Sequence, residues 1–342
     1  MSTVDPTPPS DSPLTPLVAV AGPPGSGGEI IAEALAAMGL QLIGRTTAAA
    51  GEDEGGPEPG AVATGLSQVG DELLGRMEGT WWAPPELPDG WERLPEIADA
   101  AARGVNSLND LLRSDPGSPQ PPREVVWYDA RHALLLPVWR QHPGVEAAVV
   151  TWRRPAASLT ELAIEGVSPI LALAIWEAHL VSALAGSSGL PLMGVDVDEV
   201  ATDPKKWAAS AASFLEDLGL DLPIGAEDRA IEVLEASPEL TAAGGSNSIA
   251  TEEAAMAAQL KGMLDESRGT HRRWEPSTTY KLNPWTAALL TAERSARLSA
   301  TQSANAWLAA EDAHRTMTAA LSTLQWTVDR LAAEALSELP PS

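Results

Sequence analysis

The chain has no cysteine among its 342 residues. Disulfides, thiolate metal sites and cysteine nucleophiles are therefore all excluded. Phenylalanine occurs once and tyrosine twice, so the aromatic content rests on 12 tryptophans. Lysine is confined to Lys205, Lys206, Lys261 and Lys281. The first 204 residues hold no lysine ammonium, and an anion bound there must be held by arginine, backbone N–H groups or a metal. Basic charge is short overall: 22 Lys and Arg stand against 47 Asp and Glu, a net charge of −25. That balance argues against nucleic acid as a partner, because a phosphate backbone needs a basic face. It equally disfavours docking on anionic membranes. No apolar run approaches the roughly 20 residues that span a bilayer. The N-terminal "MSTVDPTPPSDSPLTP" has neither the basic region nor the apolar core of a secretion signal, so a cytoplasmic location is expected.

What is present is an alternation of strand-like and helix-like segments. Residues 1–15 are too polar and Pro-rich to pack. "LVAVAG" (17–22), "LQLIG" (40–44), "EVVWYD" (124–129), "EAAVVTW" (146–152) and "PLMGVDV" (191–197) read as strands. Helices are expected over 28–38, 132–142, 155–165, 168–186 and 204–218, with 64–122 loosely helical and 45–63 a loop. Strands alternating with helices of this length imply a parallel sheet of four or five strands, covered on both faces. Ligands in such sheets bind at the carboxyl ends of strands, here the loops after Ala21, Asp129 and Trp152.

The first of those loops lies in "LVAVAGPPGSGGEIIAEALAAMGL", Leu17 to Leu40. Gly22 and Gly27 fit the glycine frame of a phosphate-binding loop, GxxxxGK[ST], but Gly28 and Glu29 replace its cation and hydroxyl. The backbone N–H groups of Gly25, Ser26, Gly27 and Gly28, aimed from a helix N-terminus, still form an anion nest. Without Lys and Ser/Thr an ATPase, GTPase or nucleotide kinase is not expected. A tight strand–helix turn with no ligand is the other reading. The fold class expected is α/β: a three-layer, P-loop-like parallel sheet plus a C-terminal helical or coiled-coil extension.

A longer stretch carries more. "VVWYDARHALLLPVWRQHPGVEAAVVTWRRPAASLTEL", Val125 to Leu162, resembles the bacterial sulfotransferase family in Trp127, Asp129, Arg131, the "LLPVW" of Leu135 to Trp139, Arg153, Pro155 and Ser158-Leu159. "GVSPILALAIWEAHLVSAL" and "GLPLMGVDVDEVATDPKKWAASAASFLEDLGL" resemble the family's later helix, closing strand and final core helix. The resemblance covers about residues 16–222. It implies 3′-phosphoadenosine 5′-phosphosulfate (PAPS) as cofactor and a hydroxyl of a small molecule or glycan as acceptor. It implies that Gly25 to Gly28 face the 5′-phosphosulfate, and that Arg153 and Ser158 hold the 3′-phosphate. Arg131 is the candidate to replace the missing cation. His132, with Asp129 second, is the candidate acceptor base. No His or carboxylate cluster has metal-ligand spacing. "SRGTHRRW", Ser267 to Trp274, reads as a solvated surface loop or a late loop over a phosphate.

Residues 223–283 read as an irregular acidic linker or cap, and 284–338 as a helical extension. In it Trp307, Ala310, His314, Met317, Leu321, Leu324, Val328, Leu331 and Ala335 step by 3 and 4, an a/d seam. It either lies on its own domain or joins two chains through 307–335. Two functional readings follow. One is a sulfotransferase. The other is a catalytically inactive module of the same fold, for binding or assembly, self-associating through its C-terminal helix.

Overall fold

The computed structural model describes residues 17–43, 59–88, 90–113, 124–141, 145–164, 166–241 and 260–337; of 59–66, 107–113, 157, 158, 161, 164, 239, 241, 320, 321 and 323–337 it gives the backbone only. The proposed tail 1–15 and most of the loop 45–63 lie outside the described residues. Two compact units are present, 1–290 and 291–342.

The first unit is the expected three-layer α/β domain. Its sheet holds β1 (Leu17–Ala21), β2 (Gln41–Ile43), β3 (Val125–Tyr128), β4 (Val145–Trp152), β5 (Leu192–Asp196) and β6 (Gly269–His271), in the order β2-β3-β1-β4-β5-β6. The first five strands are parallel, as the strand–helix–strand order required. The central strands are continuous Val, Ala and Leu because both of their faces are covered. Leu17, Ala19, Ala21, Val150 and Trp152 enter the core on one side; Val18, Val20, Val149, Met193 and Val195 enter the core on the other. Helix α1 (Gly28–Ala37) covers the second face, together with α8 (Pro204–Asp217) and α9 (Ala226–Ala236).

The first face is covered by α2 (Pro59–Arg76), α3 (Pro95–Arg113), α4 (His132–Trp139), α5 (Pro155–Ile164) and α6 (Pro169–Gly186). Ser168 caps α6, its Oγ accepting from Leu171 N at 3.4 Å, and Pro169 opens it. Those 18 residues are apolar enough by composition to cross a membrane, yet 78% of them are buried, as a core helix demands. Two short helices follow β5 and α9: α7 (Val197–Thr202) and α10 (Pro238–Thr241).

The described parts of the segment expected to be irregular, 223–241 and 260–283, are more ordered than its composition suggests. It supplies α9, α10, a helix over 260–267 (α11) and the sixth strand. β6 runs antiparallel to β5, so the sheet has one strand more than expected and an antiparallel edge. "SRGTHRRW" is correspondingly an edge strand with an anchored end: Arg268, Thr270, Arg272 and Arg273 stay exposed, as a surface segment would, but Ser267 and Trp274 are buried. Trp274 is 2% exposed, its Nε1 donates to Leu184 O at 3.0 Å, and its backbone exchanges bonds of 2.7 and 2.6 Å with Leu190 O and Gly189 N. Gly194 makes the approach possible, because a Cβ there would stand 1.9 Å from Ser267 O.

The long helix α12 (Pro284–Ser337) has 54 residues. Asn283 caps it, with Oδ1 accepting from Trp285 N at 3.2 Å. Buried Glu177 on α6 accepts from Asn283 N at 2.8 Å and from Thr286 Oγ1, placing a carboxylate against the positive end of the helix. In the second unit Trp307 is 65% exposed and Met317 57%; the side chains of Leu321, Leu324, Val328, Leu331 and Ala335 lie outside the described residues.

Candidate functional site

The glycine loop sits at the carboxyl end of β1, in the middle of the sheet, where the ends of β3, β4 and β5 converge on it. Gly25 and Gly27 adopt left-handed φ of 68° and 76°, which turns the chain into α1. Ser26 N–H is tied to Pro23 O at 3.1 Å, and the first intrahelical bond recorded at this end runs from Ile31 N to Gly27 O at 3.2 Å. No side chain caps the helix, and Glu29 lies in its first turn. The N–H groups of Gly27 and Gly28 thus stand at a helix N-terminus without a side-chain cap, while the Ser26 N–H of the expected nest is already bonded within the turn. Glu29 already supplies the negative charge that such a terminus favours.

Around the loop the space is filled. Ser26 is buried, and its hydroxyl bonds Thr151 Oγ1 on β4 at 2.8 Å. A Cβ on Gly27 would lie 2.9 Å from Val197 Cγ1, and one on Gly28 would lie 2.8 Å from Tyr128 Cε2 and 3.3 Å from Thr151 Oγ1. The ring of Tyr128 therefore occupies the position from which a phosphate-loop lysine would emerge. Glycine at 28 and tyrosine at 128 are one packing solution.

At the end of β3, Asp129 is 7% exposed and fully engaged. Its Oδ1 accepts from Arg131 N at 2.8 Å and Nη1 at 3.1 Å, and its Oδ2 from Ser67 Oγ on α2 at 2.9 Å. Arg131 in turn grips Asp71 on α2 with both arms of its fork, Nε at 2.6 Å and Nη2 at 2.7 Å. One guanidinium thus faces two carboxylates. His132 does not open on a substrate space. It is 1% exposed, its ring stands edge-on to Trp127 at 4.2 Å, and its Nδ1 lies 3.2 Å from Val20 O. Burial lowers its pKa and keeps the imidazole neutral, despite the opposing charge of Asp129.

Past β4, Arg153 and Arg154 both turn to Asp198 in the first turn of α7. Arg153 Nε is 3.2 Å from Oδ1, Arg154 Nε is 3.0 Å from Oδ2, and Arg154 N is 3.3 Å from Oδ2. Ser158 lies in α5; its side chain is outside the described residues. Beside this cluster a cavity of about 390 Å³ is lined by Asp196, Glu199, Lys206, Trp207, Ser210 and Arg268, among others. Arg268 bridges Asp196 Oδ2 at 3.2 Å and Glu199. Burial raises the Asp196 pKa, with Arg268 pulling the other way.

The structure thus gathers Gly25 to Gly28, Asp129 and Arg131 at neighbouring strand ends. It withdraws His132 into the core and gives Arg131, Arg153 and Arg154 internal partners. Sequence reasoning missed Asp71 and Asp198, the partners of these arginines, as well as Ser67, which donates to Asp129, and Thr151, which pairs with Ser26. Asp198 sits in "VDVDEV" just past a strand end, which is a signal for a site residue, whereas Asp71 carries none. Among the described residues no group of three His, Asp or Glu side chains could hold a metal ion. A donor with a 5′-phosphosulfate and a 3′-phosphate finds the backbone cradle, but the guanidiniums at the strand ends are already bound to carboxylates. In this arrangement the residues do not fit that group.

No protein-family model matches the chain, and no curated protein matches it. Among solved structures the chain is similar to the sulfotransferase STF9 from Mycobacterium avium, with a TM-score of 0.45 and 13% identity over 74% of this chain and 77% of that one. It is also similar to the sulfotransferase domain of the olefin synthase from Synechococcus PCC 7002, with a TM-score of 0.36 and 14% identity over 83% of this chain and 96% of that one.

Proposed function

We propose that this chain keeps a sulfotransferase-type fold as a binding or assembly module and does not transfer sulfuryl groups. The single observation that carries this reading is the neutralised state of the strand-end arginines. Arg131 faces Asp71 and Asp129, Arg153 and Arg154 face Asp198, and Arg268 faces Asp196 and Glu199. Sulfuryl transfer develops charge on the bridging oxygen, and losing a fixed cation there costs several kcal/mol, a factor of about 10² or more. Gly28 and Glu29 supply none. His132, neutral and enclosed, has no path to an acceptor hydroxyl in this arrangement. The assembly role falls to α12, whose exposed Trp307, Leu308 and Met317 suit a second copy of the chain.

Two measurements test it: calorimetric titration with 3′-phosphoadenosine 5′-phosphate, and a transfer assay with PAPS against a panel of hydroxyl acceptors. The reading expects no turnover and no binding at micromolar concentration.

A second reading is favoured by the uncapped N-terminus of α1. It is a sulfotransferase using PAPS on a small-molecule or glycan hydroxyl. Gly25, Ser26, Gly27 and Gly28 would then face the phosphosulfate, and Arg131 would have to leave Asp71 to assist. Turnover in the same assay would establish this reading and remove the first.

A further inference from the structure

We propose that the Asp198 carboxylate is an internal stand-in for a tetrahedral oxoanion, seated in a site formed by Arg153, Arg154 and the backbone N–H of Arg154. The inference rests on the reading that the fold keeps an anion cradle whose charge has been neutralised from within.

The donor set is what points to a phosphate or sulfate group. Three N–H donors from two adjacent residues converge on one side chain within 3.0–3.3 Å. Two are guanidinium N–H groups, which suit the oxygens of phosphate and sulfate as well as those of carboxylate. Arg153 is held in place, its side chain 11% exposed, so the site is built rather than assembled on demand. Arg154, at 67%, is free to adjust, and Asp198, at 27%, opens toward solvent.

The stoichiometry is the second point. Around Arg131 and Arg268 two carboxylates face one guanidinium. At Asp198 the ratio reverses, and one carboxylate serves two guanidiniums. The Asp198 side chain is also not needed to start its own helix. Asp196 caps α7, its Oδ1 accepting from Asp198 N at 3.1 Å. What the Asp198 carboxylate does is fill the space in front of the two arginines. Burial opposes its charge, yet the Arg154 N–H and the two guanidiniums hold its pKa below the usual carboxylate range. It is bound as a ligand would be.

The test uses the full-length chain and inorganic phosphate, with potassium chloride matched for ionic strength. Half-saturation is read from thermal shift and checked by calorimetry. Asp198→Asn keeps the shape of the side chain and removes its charge, and it is expected to lower the half-saturating phosphate concentration at least tenfold relative to wild type. Adding Arg153→Ala to that variant should abolish the gain. Equal phosphate responses in wild type and Asp198→Asn overturn the inference, as does a gain that survives Arg153→Ala. Asp198→Ser is the second variant, with the same expectation. Failure of both variants to fold would make Asp198 a structural tie and overturn its role as a stand-in. Turnover with PAPS in the wild type would instead sink the functional reading, while leaving the Asp198 comparison to be decided by phosphate.

Discussion

Arg131 binds Asp71 through both arms of its guanidinium, at 2.6 and 2.7 Å, and so joins the end of β3 to α2. The third nitrogen turns back to Asp129, whose side chain is only 6% exposed against 54% for Asp71. The two carboxylates therefore matter unequally. Asp129→Ala removes the acceptor for Ser67 Oγ, Arg131 N and Arg131 Nη1, and it should destabilise the fold by about 3 kcal/mol. Asp71→Asn breaks a half-exposed pair and should lose no more than about 1 kcal/mol. Urea denaturation at pH 7 measures both. Equal losses would show that the buried end of the network is not its centre.

Restoring the cation of a phosphate loop requires two changes here. Gly28→Lys drives its Cβ against Tyr128 Cε2, 2.8 Å away, and Thr151 Oγ1, 3.3 Å away. The single variant should be less stable by about 1–3 kcal/mol, the usual range for overpacking. Adding Tyr128→Ala should relieve the strain. The double variant should also bind 3′-phosphoadenosine 5′-phosphate at least tenfold more tightly than wild type, by calorimetry. A Gly28→Lys protein as stable as wild type would mean that Tyr128 was never the obstacle.

How much of this was legible beforehand depends on the range of the interaction concerned. β1, β3, β4 and β5 announce themselves as apolar runs broken by Gly, Asp or Arg, because strands buried on both faces must be continuously apolar. β6 is "GTH", three residues without any such pattern; it exists because Trp274 is anchored under α6 and Gly194 admits the backbone of Ser267. The helix-dense stretch after residue 223 was obscured by its acidic composition, although Ala226, Ala230 and Leu234 hold the spacing of a buried stripe. The glycine loop and the strand-end arginines were readable as residue types. Their partners were not: Asp71 lies 60 residues from Arg131, and Asp198 lies 45 from Arg153. Nothing local in the sequence says that an arginine is already occupied, and that occupancy is what turns the functional reading from transfer toward binding.

The two aspartates that open α7 should respond to pH with opposite signs. The pKa of Asp198 is lowered on folding, so its contribution is present above the unfolded value of about 3.9 and is lost as pH falls through the folded value. Burial raises the pKa of Asp196, so its contribution is present in acid and is lost as pH rises from about 3.9 through the folded value. Asp196→Asn, which keeps the capping oxygen, should match wild type near pH 3 and exceed its stability at pH 7. Asp198→Asn should be less stable than wild type at pH 7, with the deficit shrinking in acid. Denaturation midpoints between pH 3 and pH 7 check both curves. Parallel curves for the two variants would refute the assignment.

The last prediction concerns the assembly half of the proposed function. Helix α12 runs for 54 residues, roughly 80 Å at 1.5 Å per residue. Within it Trp307, Leu308 and Met317 are exposed by 65%, 56% and 57%. Trp307 and Met317 share a stripe with Ala310 and His314, and the sequence carries that stripe through Leu321, Leu324, Val328 and Leu331 at the spacing of a coiled-coil seam. Exposing large apolar side chains in such a row is unfavourable for a chain in water, at about 25 cal/mol per Å². A second copy presents an identical seam and removes both from water. Full-length protein should therefore scatter light as a dimer or larger species at micromolar concentration. A chain ending at Ala300, which loses the stripe, should be a monomer with an unchanged glycine-loop domain by circular dichroism. Met317→Glu in the full-length chain should weaken association at least tenfold without altering the fold. If full-length and truncated chains are both monomers, the seam is satisfied within one chain, and the assembly role fails while the absence of sulfuryl transfer can still stand.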